Sequence, residues 1–144
     1  MAGLCIKATH VLTLLAAVLI MAGCADGGSA STAAEIVIPP GAETITEGAY
    51  TGYYSLKNIV IPASVREIGA YAFQDCDALI EITIPDGVTR IEKYTFSFCS
   101  SLRTVVIPDS VTAIDDTAFS GTNTLDEQTV QRILSINPDA VFTN

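Results

Sequence analysis

The sequence between residues 36 and 127 repeats itself every 23 residues without a gap. The four copies are IVIPPGAETITEGAYTGYYSLKN (36–58), IVIPASVREIGAYAFQDCDALIE (59–81), ITIPDGVTRIEKYTFSFCSSLRT (82–104) and VVIPDSVTAIDDTAFSGTNTLDE (105–127). A unit of this length is too small to bury its own apolar side chains, so stacking against its neighbours must form the core. The period therefore predicts a solenoid.

Alignment of the four copies places apolar side chains in fixed columns, and a proline follows the second isoleucine of each copy. The columns are Ile38, Ile61, Ile84 and Ile107; Ile45, Ile68, Ile91 and Ile114; Leu56, Leu79, Leu102 and Leu125; and Tyr50, Phe73, Phe96 and Phe119. The alternating pattern before each proline predicts a strand. The proline lacks a backbone donor and limits that strand to about four residues. In the second half of each copy, the apolar residues equivalent to Val65, Ile68, Ala72 and Phe73 are spaced by three, four and one residues. This spacing predicts turns or a single helical turn.

The pattern I-x-I-P-x-x-V-x-x-I-x-x-x-A-F-x-x-C-x-x-L resembles the BspA-like class of bacterial leucine-rich repeats over residues 36–127. The resemblance implies an α/β solenoid, a short right-handed leucine-rich repeat array of four 23-residue repeats with short parallel strands. It also implies a surface antigen or adhesin whose relatives engage host extracellular-matrix or plasma proteins. The sequence departs from the usual leucine-rich consensus at Ser64 and Arg66, so the proline and the Val65 column must shape that corner.

The segment TLDEQTVQRILSINPDAVF leaves the repeat pattern. Thr124 and Glu127 fit a capping box, and the apolar spacing that follows predicts a short helix from about Leu125 to Ile136. This helix would cover the last repeat, with Val141 and Phe142 adding apolar cover. We assign residues 128–144 to a C-terminal cap.

The first 24 residues, MAGLCIKATHVLTLLAAVLIMAGC, have the features of a secretory signal. Their apolar run of residues 11–22 is shorter than the roughly 20 residues that a membrane-spanning helix needs. The ending Met-Ala-Gly-Cys24 resembles the lipobox of bacterial lipoproteins, which implies removal of residues 1–23 and acylation of Cys24, as in palmitate-bearing lipoproteins. The alternatives are an ordinary signal peptide cut near Ala22 or an uncleaved anchor. Residues 24–35 are rich in small polar residues and predict a flexible tether.

Charge and histidine content exclude several classes of function. The chain has a formal net charge of −9, whereas neutralising nucleic-acid phosphates requires a basic face. Its one histidine, His10, lies in the predicted signal. The mature protein would therefore lack Ser-His and Cys-His catalytic pairs and histidine-ligated metal sites. We predict a non-enzymatic protein with no catalytic residues, metal or cofactor.

Cys76 and Cys99 occupy the same column one repeat apart. Adjacent strands lie about 4.7–4.9 Å apart, within the Cα separation of about 4.4–6.8 Å that a disulfide allows. Two cysteines without histidine lack the usual number of metal ligands. Cysteine also serves as a small apolar core residue, which is the interpretation favoured here, with the disulfide as the alternative.

The outward positions of the predicted strands are the candidate protein-binding site. They form two columns: Glu35, Asn58, Glu81 and Thr104, and Val37, Val60, Thr83 and Val106. Leucine-rich arrays commonly bind proteins on the concave side. The alternative is that valine and threonine occur at these positions only because they favour strand conformation. Four repeats span only roughly 15–20 Å, enough for a loop or short peptide.

Two hypotheses of function remain open at this point. The first is a lipid-anchored surface protein that adheres to host matrix or plasma proteins. The second is a periplasm-facing envelope scaffold that binds another bacterial protein. Ala25 follows Cys24, where an aspartate would resemble an inner-membrane retention signal, so the outer membrane is the preferred location.

Overall fold

The structure, a computed structural model, describes residues 34–143. Cys24, the signal segment and most of the tether lie outside these residues. Eight short strands and one helix are present: β1 (Glu35–Val37), β2 (Thr44–Ile45), β3 (Asn58–Val60), β4 (Glu67–Ile68), β5 (Glu81–Thr83), β6 (Arg90–Ile91), β7 (Thr104–Val106), β8 (Ala113–Ile114) and α1 (Glu127–Ile136). Within the described residues, no helix is long and apolar enough to cross a membrane.

Strand pairing follows the 23-residue period of the sequence. All the pairs are parallel, and they match residues 23 positions apart, such as Ile36 with Ile59 and Ile82 with Val105. The pairs are β1–β3, β2–β4, β5–β7 and β6–β8. Each odd-numbered strand is three residues long, in agreement with the limit of about four residues that the prolines set.

The even-numbered strands correct one expectation. The Ile45 column was predicted to lie in turns or a helical turn, yet Ile45, Ile68 and their equivalents end two-residue strands. Backbone bonds between repeats stabilise two of these positions: the Gly69 amide donates to the Ile45 carbonyl at 2.8 Å, and the Asp115 amide donates to the Ile91 carbonyl at 2.9 Å. Bonds to the neighbouring repeat therefore override the local spacing that indicated a helical turn.

The predicted columns form one continuous core. The four aromatic rings are almost completely buried and stack face to face, with centroids 5.4 Å apart for Tyr50–Phe73, 5.5 Å for Phe73–Phe96 and 5.3 Å for Phe96–Phe119. The isoleucine and leucine columns fill the remaining interior. Core and strands thus agree with the columns of the sequence.

The corner after each odd-numbered strand is a turn closed by the proline. The Val65 amide donates to the Pro62 carbonyl at 3.1 Å, and the equivalent bond recurs between Val88 and Pro85. The Ser64 hydroxyl adds a bond to the Ala42 carbonyl at 2.7 Å. These contacts confirm that the proline and the Val65 column shape this corner.

The start of α1 differs from the predicted capping box. The N-cap is Asp126, whose Oδ1 accepts from the Thr129 amide at 2.7 Å. The Thr124 hydroxyl instead donates to the Leu102 carbonyl at 2.7 Å. The Asp126 amide donates to the Arg103 carbonyl at 2.7 Å, which continues the bonding pattern between repeats. The helix therefore begins two residues later than expected, because Thr124 is still bonded as part of the array.

The helix packs on the last strands of the array. Ile133 is fully buried in the common core. The Thr129 hydroxyl accepts from the Val105 amide at 3.2 Å, and Asn137 Nδ2 donates to the Ile114 carbonyl at 2.9 Å. Phe142 packs against the core, whereas Val141 is exposed.

Asp126 makes the stability of this end dependent on pH. Its Oδ2 accepts from the Thr104 hydroxyl at 2.6 Å, and this bond, together with the Thr129 bonds, lowers the pKa of Asp126 below 3.8. A carboxylate whose folded pKa is lowered stabilises the fold above its unfolded pKa and loses that contribution as pH falls through the folded value. We therefore expect the stability difference between the native chain and Asp126→Asn to be constant above about pH 5 and to shrink below about pH 4.

Urea unfolding between pH 3 and 7 measures this difference. Asp86→Asn is the matched control, because Asp86 is exposed and its side chain makes no hydrogen bond within residues 34–143. A difference for Asp126→Asn that stays constant down to pH 3 would contradict the role given to the carboxylate.

Candidate functional site

The outward side chains of β1, β3, β5 and β7 form a surface that we call the strand face. It comprises Glu35, Val37, Asn58, Val60, Glu81, Thr83, Thr104 and Val106, all predicted from the sequence. The middle residue of each strand points into the core, and the flanking residues point out. Parallel pairing aligns Val37 with Val60 and Thr83 with Val106. The structure thus brings the predicted residues onto one surface.

The second column of the strand face exposes apolar side chains. Val37, Val60 and Val106 are 42%, 53% and 51% exposed. Thr83 continues the column and is also exposed. Aligned β-branched side chains left in water offer a partner apolar area whose burial would stabilise a complex.

The first column is polar, and one of its members is already engaged. Glu35, Asn58 and Glu81 are exposed. Thr104 is half-buried, and its hydroxyl donates to Asp126 Oδ2. The free part of this column therefore ends at Glu81, which pairs with Thr104.

The only acid–base groups of the strand face are the carboxylates of Glu35 and Glu81, which lie two repeats apart on β1 and β5. The side chains of the strand face are two carboxylates, one amide, two hydroxyls and three valines. Among residues 34–143, no three histidine, cysteine or acidic side chains are placed so that they could hold a metal ion. The arrangement is suited to contact with another molecule through side-chain packing and hydrogen bonds.

Cys76 and Cys99 are buried free thiols in the structure. Each Sγ donates to a carbonyl of the aromatic column: Cys76 to Tyr50 at 3.3 Å and Cys99 to Phe73 at 3.1 Å. The next member of the column, Thr122, donates its hydroxyl to the Phe96 carbonyl in the same way. This column therefore supplies a small side-chain donor to the neighbouring repeat, a role that its apolar interpretation did not include.

Burial disfavours the ionised form of both thiols in the folded protein. It raises the pKa of Cys76 to about 12 and that of Cys99 well above its ordinary value. A thiol with a pKa near 12 is ionised to about one part in ten thousand at pH 8, and the thiolate is the reactive form. We expect neither cysteine to react with iodoacetamide until the protein is unfolded.

Peptide mass spectrometry measures the extent of iodoacetamide labelling of each cysteine. The labelling is done without reductant, once in the presence of urea and once in its absence. Ser100→Cys provides the matched control, since Ser100 is exposed beside Cys99 and should label in the folded state. A Cys76–Cys99 linked peptide would establish the alternative of a disulfide. Rapid labelling of either native cysteine in folded protein would contradict the burial.

Several exposed apolar or aromatic residues were not predicted as surface features. Tyr54, Ile80 and Phe98 are 58%, 47% and 40% exposed. Tyr71 and Tyr94 are half-buried and stack at 5.3 Å. Ile80 lies at the edge of the strand face, directly before β5. The other members of its column, Lys57, Arg103 and Asp126, are charged, so the alignment could have indicated that this position is exposed.

Comparison with known proteins supports the repeat assignment. The family model described as the BspA-type leucine-rich repeat region (6 copies) matches residues 29–144. A comparison with curated proteins gave no match.

Two solved structures are similar to the chain. The leucine-rich repeat protein TpLRR of T. pallidum is 28% identical with a TM-score of 0.72, over 76% of this chain and 51% of that one. A leucine-rich repeat protein from Bacteroides ovatus ATCC 8483 is 42% identical with a TM-score of 0.57, over 61% of this chain and 23% of that one. The chain thus spans about half and about a quarter of these two proteins. On its repeat pattern, parallel strands and family match, the chain belongs to the BspA-type leucine-rich repeat family.

Proposed function

We propose that this protein is a non-enzymatic binding module that attaches to another protein through its strand face. The column of exposed side chains formed by Val37, Val60, Thr83 and Val106 carries the proposal. Leucine-rich repeat proteins generally mediate protein–protein interactions. Function still depends on the surface residues of the individual chain and not on the fold alone.

The dimensions of the strand face limit the size of the contact. The four outer strands, in a right-handed array of four repeats, span roughly 15 Å at ordinary strand spacing. Stable complexes between globular proteins bury about 800 Å² on each partner. The strand face alone is smaller than such an interface, so an extended segment or a loop of the partner is the favoured ligand.

The proposed location is the bacterial cell surface. Acylation of Cys24 would attach the chain to the outer membrane, since more than one acyl chain gives stable anchoring. Residues 24–35 would act as a tether between the lipid and the repeats. In this position the strand face would be available to host extracellular-matrix or plasma proteins, and the chain would act as an adhesin.

The binding face is tested with two matched double variants of the full-length chain. Val60→Glu/Val106→Glu places two charges on the strand face. Thr89→Glu/Thr112→Glu adds the same charge at exposed positions beside the even-numbered strands. Immobilised protein is incubated with a panel of purified matrix and plasma proteins, and circular dichroism verifies folding. A ligand retained by the native chain and by the control, but lost by the strand-face variant, supports the proposal; equal retention by both variants contradicts it.

The location is tested separately on intact cells. An adhesin should be cleaved by added protease and should incorporate labelled palmitate in a Cys24-dependent manner. Protection from protease together with capture of an envelope protein would favour the periplasm-facing scaffold instead.

A further inference from the structure

A shallow cleft of about 410 Å³ lies at the N-terminal ends of β3, β5 and β7. We call it the margin cleft and define it by Lys57, Ile80, Ser100, Ser101 and Arg103, which line it. Lys57, Ile80 and Arg103 occupy one column, each directly before a strand of the strand face. The margin cleft therefore adjoins the proposed binding face.

Two cations of an otherwise acidic protein line the margin cleft without ionic partners. In residues 34–143 the ion pairs are Arg90–Glu92 and Arg132–Asp109. Lys57 and Arg103 are exposed and belong to neither pair. They are two repeats apart, about 10 Å at strand spacing, and the exposed Ile80 lies between them.

Three carboxylates lie near the margin cleft, and each keeps its negative charge. Asp77 accepts from the Ser100 hydroxyl at 3.1 Å, and Asp126 accepts from Thr104. Glu81 is the next residue after Ile80 and points out from β5. In this region an acidic ligand is therefore attracted only at Lys57 and Arg103, where it can form the ion pairs that these two side chains lack.

The backbone at the same place has a missing bond. In three places the amide of the residue before a strand or before α1 donates to the carbonyl of the residue 23 positions earlier. The pairs are Lys57 to Ala34 at 2.8 Å, Arg103 to Ile80 at 2.9 Å and Asp126 to Arg103 at 2.7 Å. By this pattern an amide at Ile80 or Glu81 would donate to the Lys57 carbonyl. No such backbone bond forms in the described part of the chain, and no ladder joins β3 to β5. The cleft thus combines two unpaired cations with backbone amides that lack the usual acceptor.

We propose that the margin cleft binds an extended acidic segment of the protein partner, with two carboxylates at Lys57 and Arg103 and an apolar side chain at Ile80. Alternate residues of an extended chain point to the same side, so the pattern acidic-x-apolar-x-acidic presents all three side chains together. Its carboxylates lie about 13 Å apart, a distance that the long lysine and arginine side chains accommodate. This inference rests on the proposed function and names the chemistry of its ligand.

The test measures fluorescence polarisation of labelled heptapeptides with the full-length chain. The probes are GETLTEG, its charge-reversed form GKTLTKG, and GETSTEG, which lacks the apolar side chain. Lys57→Glu/Arg103→Glu removes the site, and Arg90→Glu/Lys93→Glu makes the same charge change elsewhere. We expect the native chain to bind GETLTEG best, the site variant to bind it about tenfold more weakly, and the control variant to bind it within about twofold.

Each outcome decides the proposal. If both double variants bound GETLTEG equally weakly, only the net charge of the protein would matter. If the native chain bound GETLTEG and GKTLTKG with equal affinity, Lys57 and Arg103 would not distinguish acidic from basic peptides. Either result, or no binding of GETLTEG at about 1 mM, overturns the inference. Shifts of the Ile80 and Glu81 amide signals on adding the acidic probe would support the contact with the backbone.

The inference and the proposed function fail in different ways. A matrix or plasma ligand that is lost by Val60→Glu/Val106→Glu but retained by Lys57→Glu/Arg103→Glu preserves the strand face and rejects the margin cleft. A ligand retained by all variants rejects the strand face.

Discussion

Replacing Phe96 with alanine is expected to lower the free energy of unfolding by about 3–5 kcal/mol. The ring is fully buried and stacks on Phe73 at 5.5 Å and on Phe119 at 5.3 Å. Its removal leaves a cavity between two rings that can close only if the repeats move. Because each repeat is stabilised by its neighbours, the loss should extend to the repeats on both sides. A domain of this size has roughly 5–15 kcal/mol of stability in total, so the expected loss is a large share of it.

Urea unfolding followed by far-UV circular dichroism measures the effect, which corresponds to a fall of roughly 2 M in the midpoint. Phe98→Ala is the matched control, because this phenylalanine is two residues away but 40% exposed. It should cost less than about 1 kcal/mol. A midpoint for Phe96→Ala close to that of Phe98→Ala would show that the aromatic column is not the core of the array.

The period predicts the core because every buried column repeats at the same place in all copies. A 23-residue displacement aligns Ile36 with Ile59 in the sequence and in the strand pairing. When the repeats stack, these apolar columns all lie in the same interior and form one core. The strand face follows from the same alternation, since the residues that flank a buried isoleucine must point outward.

Features that depend on one side chain or on one pair of repeats were not predictable in this way. The helix begins after Asp126 and not after Thr124, because both residues are plausible caps and Thr124 bonds within the array. The backbone bond to the Lys57 carbonyl is missing at the margin cleft, whereas the equivalent bonds to Ala34, Ile80 and Arg103 form. Nothing in the residue columns distinguishes that junction from the others.

One missed feature did have a signal in the sequence. Four residues adopt the left-handed backbone conformation that disfavours side chains: Tyr71, Asp75, Tyr94 and Phe98, with φ between 55° and 59°. Their columns contain glycine in other copies, at Gly48, Gly52 and Gly121, where φ is also positive. Glycine recurring in a column indicates a positive φ, so these turns could have been predicted from the alignment.

Gly69→Ala is expected to destabilise the fold by about 1–3 kcal/mol or more, although it adds a single methyl group. A Cβ at this position would lie 2.6 Å from the Glu47 amide nitrogen and 2.9 Å from the carbonyl carbon of Thr46. Both are backbone atoms of the preceding repeat and cannot rotate away. The Gly69 amide also donates to the Ile45 carbonyl at 2.8 Å, which holds the two repeats together at this point. The methyl group can therefore be accommodated only if the first and second repeats separate.

Gly87→Ala separates this backbone effect from a general intolerance of alanine. A Cβ there would lie 1.8 Å from the Arg66 guanidinium, a shorter distance than at Gly69. The arginine is flexible, however, and can move into solvent, so we expect a change within about 0.5 kcal/mol. The contact distance alone predicts the opposite order. Urea midpoints that place Gly87→Ala below Gly69→Ala would show that the packing of Arg66, and not the close backbone approach at Gly69, governs how tightly these repeats stack.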